Sequence, residues 1–180
     1  MNKEEGLNPA VHTLLFGVRR SVRYHNRRRL FFDRTHKFST FLSALFGTAT
    51  VASALAHAGG NWVIVFAVAV AVFSVMGLVV GTAQAARLHY DLARKFIDLE
   101  KEIISIKEPT GDNIASLKSQ RLEIEAEEPP PLRVLDSICH NELLRAMGYS
   151  SNEFAKIKWY QRLFSQLIDI QEHKIIPSLR

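Results

Sequence analysis

From Phe38 to Ala86 the chain carries no Asp, Glu, Lys or Arg, an unbroken run of 49 residues. No other feature constrains the fold as tightly. The mean hydropathy of the whole chain is near zero, so apolar and charged residues are segregated along the sequence, not mixed. A bilayer's hydrocarbon core is about 30 Å thick and takes roughly 20 helical residues. The run is about twice that length and is interrupted at Ala58-Gly59-Gly60-Asn61. Adjacent glycines end helices, and asparagine tolerates tight turns. The expectation is a hairpin of two membrane-spanning helices, about Phe38–His57 and about Trp62–Ala86. In lipid every backbone polar group must be paired internally, which selects helices. The β-branched run Val63–Phe73 would suit a strand in water, but its length and lack of charge decide for a membrane helix. The competing account is a hairpin buried inside a soluble domain.

Charge sets the expected orientation. Residues 1–37 carry nine Lys/Arg against three Asp/Glu, and Arg87, Arg94 and Lys95 follow the second span. The turn between the spans has no Lys or Arg. The positive-inside rule then puts both flanks in the cytoplasm, with Trp62 as an interfacial aromatic on the far side. The domains expected are a basic amphipathic helix over 1–37, the hairpin over 38–86, and a helical cytoplasmic domain over 87–180. The fold class is all-α.

Both spans carry features suited to helix contact. Gly77, Gly81 and Ala85 repeat at every fourth position, which lets backbones approach closely. In the first span Ser39, Ser43, Thr50, Ser53 and His57 share a stripe, with Phe46 its bulky member. Either these residues line a narrow aqueous path with Phe46 as a constriction, or the hydroxyls satisfy each other and backbone carbonyls between packed helices. Two helices cannot enclose a pore, so conduction requires an oligomer.

The first flank reads as a helix from about Asn8 to Lys37, with Val11, Leu14, Leu15, Val18 and Val22 at helical spacing. Arg19, Arg20, Arg23 and Arg27 lie on a different face. They suit either anionic lipid headgroups or a phosphate-bearing ligand, which arginine holds bidentately. Beyond the hairpin, Leu88, Leu92, Phe96, Leu99, Ile103 and Ile106 form a short coiled-coil-like seam. Pro109-Thr110-Gly111-Asp112 ends it, with Asp112 the expected cap of a helix that stops at Pro129-Pro130-Pro131. A further helix spans about Leu132 to Met147 and closes at Gly148. A last one begins after Ser150 or Ser151 and ends before Pro177.

No catalytic pattern is present: no P-loop, no Gly-x-Ser-x-Gly, no His-Glu-x-x-His and no dinucleotide fingerprint. The single cysteine, Cys139, excludes an internal disulfide and a cysteine-cluster metal site. Its neighbour His140 points elsewhere on a helix, so Cys139 reads as buried and structural. Glu127 and Glu128 read as solvated. The expectation is a protein that is not an enzyme, with no cofactor and no metal.

The segments Arg19–Gly47 (RRSVRYHNRRRLFFDRTHKFSTFLSALFG), Ala86–Ile103 (ARLHYDLARKFIDLEKEI) and Glu125–Tyr149 (EAEEPPPLRVLDSICHNELLRAMGY) resemble SLATT proteins in the order basic helix, two spans, long helix and helical tail. The resemblance covers roughly Val11 to Tyr149. It implies a pore-forming effector of bacterial antiphage defence, resident in the cell membrane as a homo-oligomer. It further implies gating by a nucleotide or oligonucleotide made by a partner nucleotidyltransferase, with membrane depolarisation and growth arrest as the outcome. A tetramer suits a narrow pore and close small-residue packing. A non-conducting anchor for a helical interaction domain, and a holin-like disruptor, are the alternatives.

Overall fold

The first helix starts at a local signal. The Asn8 side-chain oxygen accepts the Ala10 N–H at 2.9 Å, and Pro9 fills the first helical position, where a missing N–H leaves nothing unpaired. In this computed structural model, which describes residues 8–56, 61–171 and 175, helix α1 then runs Pro9–Leu55 without a break. The side chains of Leu55 and of 76–80 lie outside the described set. No boundary falls between Lys37 and Phe38, because no glycine or proline stands between Arg28 and Phe46 to stop the helix. Helix α2 is Trp62–Val80, α3 Thr82–Ser105, α4 Gly111–Ala126, α5 Arg133–Ala146 and α6 Trp159–Phe164. A 3-10 turn covers Ser151–Glu153. Among the described residues there is no strand, and the fold is all-α.

The chain forms two units, Met1–Arg27 with His89–Arg180, and Arg28–Leu88. In the first, Val11, Leu14, Leu15 and Val18 of α1 close on Phe96, Leu99 and Ile103 of α3 and Leu117 of α4. Phe96 and Val18 are fully buried. The seam expected on α3 is therefore a core seam, and its partner is the apolar stripe of α1. A second cluster joins Tyr24 to Leu135 and Cys139 of α5, and the Tyr24 hydroxyl accepts the Leu132 N–H at 2.9 Å, holding the start of α5.

Three expectations about element ends need correction. Helix α4 is capped by Thr110, not Asp112. The Thr110 hydroxyl accepts from the Asn113 N–H and the Asn113 side chain accepts from the Thr110 N–H. This reciprocal pairing satisfies two otherwise orphaned donors, and Asp112 sits in the first turn. The second span does not run on to Ala86 as one helix. Gly81 takes φ +57° and ends α2, a left-handed backbone that glycine adopts without a Cβ clash. The tail beyond Ser150 is not one helix either. The Asn141 amide accepts the Ala155 N–H at 2.8 Å and donates to the Ala155 carbonyl at 2.7 Å. That side chain replaces the helical partners of Ala155 and holds the strand-like stretch before α6. Gly148, at φ +82°, closes α5 as expected.

Candidate functional site

In the Arg28–Leu88 unit the residues expected to line a path face α2. Ser39, Ser43, Phe46, Thr50 and Ser53 are half-buried, while Phe38, Phe41, Leu45 and Val51 are exposed. Phe46 lies against Phe66 and Phe73 of α2, with ring centroids 6.1 and 5.9 Å away. It is a packing residue between the two helices. The Thr50 hydroxyl donates to the Phe46 carbonyl at 2.7 Å, within its own helix. His57 lies outside the described residues. Of the small-residue series, Gly77 is in α2, Gly81 is the left-handed junction, and Ala85 is in α3, so the three do not share one continuous helical face.

One groove opens at the end of this unit that holds Gly81. Its cavity of about 390 Å³ is lined by His36, Ser39, Thr40 and Ser43 of α1, Ser74 of α2, and Ala83 and Gln84 of α3. Ser39 and Ser43 were expected on a polar path; Ser74 joins them from the facing helix α2, and Gln84 because α3 restarts after the Gly81 turn. Among the described residues the lining is hydroxyl, amide, imidazole and the Ala83 methyl, with no carboxylate, Lys or Arg. The Ser39 hydroxyl is committed to the Phe73 carbonyl at 2.9 Å, so it is no activated nucleophile. Thr82 stands 3.4 Å from His36 Nδ1. Such a wall can replace water around a small solute without holding a fixed charge.

The outer face of this unit is apolar. Trp62, Ile64, Val65, Val68, Val72 and Val75 of α2 are all exposed, as are the phenylalanines and leucine of α1 named above. Among the described residues no helix is long and apolar enough to cross a membrane.

The other unit places the arginines. Arg19 Nε donates to Glu100 at 2.8 Å, and Arg20 Nε stands 3.2 Å from Asp136 Oδ1. Arg23 donates to the Arg19 carbonyl at 3.2 Å. Arg27 pairs with both oxygens of Glu142. Three of the four candidate ligand-binding arginines thus meet a carboxylate of their own chain. Burial raises the pKa of Asp136, against the opposing pull of Arg20. Burial, reinforced by Arg20, lowers that of His140. Cys139 is fully buried, and burial pushes its thiol up to about 12, which fits the structural role read from the sequence.

A buried polar cluster in this unit had no sequence signal. His25 and His89 are fully buried or nearly so. Their Nδ1 atoms are 2.9 Å apart, and His25 Nε2 is 3.1 Å from Glu128. Phe96 stacks on His25 with ring centroids 5.6 Å apart. With Glu128 ionised, the Nε2–H of His25 donates to it. A neutral His25 then accepts at Nδ1, and His89 donates from its own Nδ1–H. Glu128, expected to be solvated, is an internal acceptor. Glu127 is exposed, as expected, and pairs at the surface with Lys95 at 2.5–2.6 Å. The residues involved are 64 and 103 positions apart, and no local spacing marks them.

No family model matches the chain, and no curated protein or solved structure does.

Proposed function

We propose that this chain is a membrane-embedded, oligomeric, pore-forming effector of the SLATT type. One observation carries the membrane part: the Arg28–Leu88 unit turns most of its large apolar side chains outward on both α1 and α2. Monomeric soluble proteins rarely expose a large contiguous apolar surface, and such patches mark membrane or protein contact. The absence of formal charge from Phe38 to Ala86 favours lipid. The positive-inside rule puts both flanks in the cytoplasm.

Conduction rests on less. The groove of Ser39, Ser43, Ser74 and Gln84 offers a polar surface that several copies can join around an axis. Gating by a nucleotide or oligonucleotide from a partner nucleotidyltransferase is supported by the resemblance. A ligand at Arg19, Arg20 and Arg27 must displace Glu100, Asp136 and Glu142, and must do so in one pore state more than the other. Depolarisation of the cell membrane would follow from opening.

A specific observation favours a second reading, the non-conducting anchor. The stripe of the first span faces α2, and Phe46 is fixed between Phe66 and Phe73. Single-channel recording in planar bilayers separates the two. Discrete current steps that vanish in Ser43→Leu are the expected result. A silent bilayer containing intact oligomers, with nucleotide extract from the host present, overturns the channel and leaves the anchor.

A further inference from the structure

The C-terminal segment is packed inside out. Helix α6 and the turn that follows it bury Gln161 and Ser165, each 3% exposed, while Trp159, Leu163 and Leu167 are 77%, 65% and 61% exposed. The inward side is fastened by polar contacts. Gln161 donates to the carbonyls of Ile170 and Gln171 at 2.9 and 3.3 Å and accepts the Lys158 N–H at 3.0 Å. Asp169 adds a second fastening, accepting the N–H groups of Arg133 and Val134 at 2.7 and 3.0 Å. A carboxylate there complements the positive end of α5. The segment is thus anchored by its amide and carboxylate, and its tryptophan and leucines project away from the core.

Burying a leucine or a larger apolar side chain stabilises by roughly 1.5–3 kcal/mol. Trp159, Leu163 and Leu167 forgo most of that in water. The charge around them is one-sided: Lys156, Lys158 and Arg162 lie between Phe154 and Ile168, with no Asp or Glu. All three are exposed. Tryptophan with leucine beside lysine and arginine is the composition that lies in a bilayer interface, rings among the headgroups and cations on the phosphates.

We propose that the Lys156–Ile168 segment docks on an anionic lipid surface, with Trp159, Leu163 and Leu167 entering the interface. The partner is the phosphate-bearing headgroup layer, not a second protein. The docked segment fastens the tail to the membrane face. The proposal stands on this segment alone and does not require the hairpin to span a membrane.

The chain has two tryptophans, and each reports on one reading. In Trp62→Phe the sole emitter is Trp159. The full chain is reconstituted in phosphatidylcholine vesicles, with or without phosphatidylglycerol, containing brominated acyl chains. Trp159 emission should shift to the blue and be quenched in the anionic vesicles, with both effects reduced in neutral vesicles and at high salt. Replacing Lys156, Lys158 or Arg162 by Gln should lower the ratio of docked to free segment about fivefold each. Solvent-like, unquenched Trp159 emission in both vesicles overturns the proposal. So does emission shifted to the blue without quenching, which means that protein covers the face. Equal quenching in neutral and anionic vesicles overturns the recognition of charge. In Trp159→Phe the remaining Trp62 reports hairpin insertion. A quenched Trp62 beside a solvent-like Trp159 sinks the tail proposal alone, and the reverse pattern sinks the hairpin alone.

Discussion

The two parts of helix α1 obey opposite solvent rules. Over Val11–Tyr24 the side chains of Val11, Leu14, Leu15, Val18 and Tyr24 are buried, and Arg19 and Arg20 reach carboxylates. Over Phe38–Val51 the side chains of Phe38, Phe41, Leu45 and Val51 are exposed, Phe46 packs on α2, and the hydroxyls of Ser39 and Thr50 turn inward or back onto the helix. Backbone geometry is common to both parts, so the difference lies in what surrounds them. In the first part, removal of apolar surface from water drives packing. In the second, the apolar surface faces outward and the inward contacts are aromatic stacking and a hydroxyl on a carbonyl, an arrangement that fits the proposed lipid surroundings.

That contrast can be broken by substitution. Phe96→Ala removes the centre of the Val11–Ile103 cluster and should cost about 3–5 kcal/mol. Cys139 supplies the readout: its thiol is buried, so its modification by a thiol reagent on heating marks the unfolding of this unit. The midpoint should fall sharply in the variant. Leu45→Lys puts a charge on the outward face of the other part. If lipid surrounds that face, insertion should lose about 2.5–3.5 kcal/mol, seen as protein released from membranes by alkaline carbonate. The Cys139 midpoint should not move. On a face surrounded by water the same change stays within about 0.5 kcal/mol, and full retention in the membrane fraction would remove the contrast.

Smaller effects sharpen it. Gly81→Ala forces an alanine into a left-handed conformation and should cost roughly 1–2 kcal/mol, read as reduced thermal stability of the reconstituted hairpin. The smallest effect concerns pH. The folded pKa of His140 lies below its ordinary value, so below about 6.5 the unfolded chain binds the proton more readily than the fold does. Stability should fall as pH drops through that range. Asp136 has a raised folded pKa and acts the other way, because the fold holds that proton more tightly. The expected outcome for His140→Gln is a flatter fall of the Cys139 midpoint from neutral to mildly acid pH. An unchanged slope would remove His140 from the account.

What the sequence showed was whatever repeats locally. The Val11–Val18 spacing and the Leu92–Ile103 seam named most of the first core, and Gly148 named the end of α5. Decisions taken by distant side chains were hidden. Asn141 breaks the tail by taking both backbone groups of Ala155, yet a lone asparagine on a helix carries no such mark. Each of Arg19, Arg20 and Arg27 was visible as a cation, but not its carboxylate, 81 to 115 residues away where a hydrogen bond joins them. The groove was half legible: Ser39 and Ser43 stood on one stripe, whereas Gln84 reaches it because Gly81 redirects the chain. The inward Gln161 was unreadable, since periodicity assigns leucines to the core and glutamine to water.

Helix α1 also has an order of synthesis. Val11, Leu14, Leu15 and Val18 leave the ribosome long before Phe96 and Leu117, which cover them. At about 5–20 residues per second the wait lasts several seconds, and the whole uncharged run is made in that interval. The newborn chain therefore presents its first apolar stripe uncovered while the hairpin is still being placed. Asp169, whose carboxylate completes the start of α5, comes later still. The unit made of the two chain ends can close only after translation has passed beyond the hairpin, so a chain halted early holds an open stripe and a basic surface without its carboxylates.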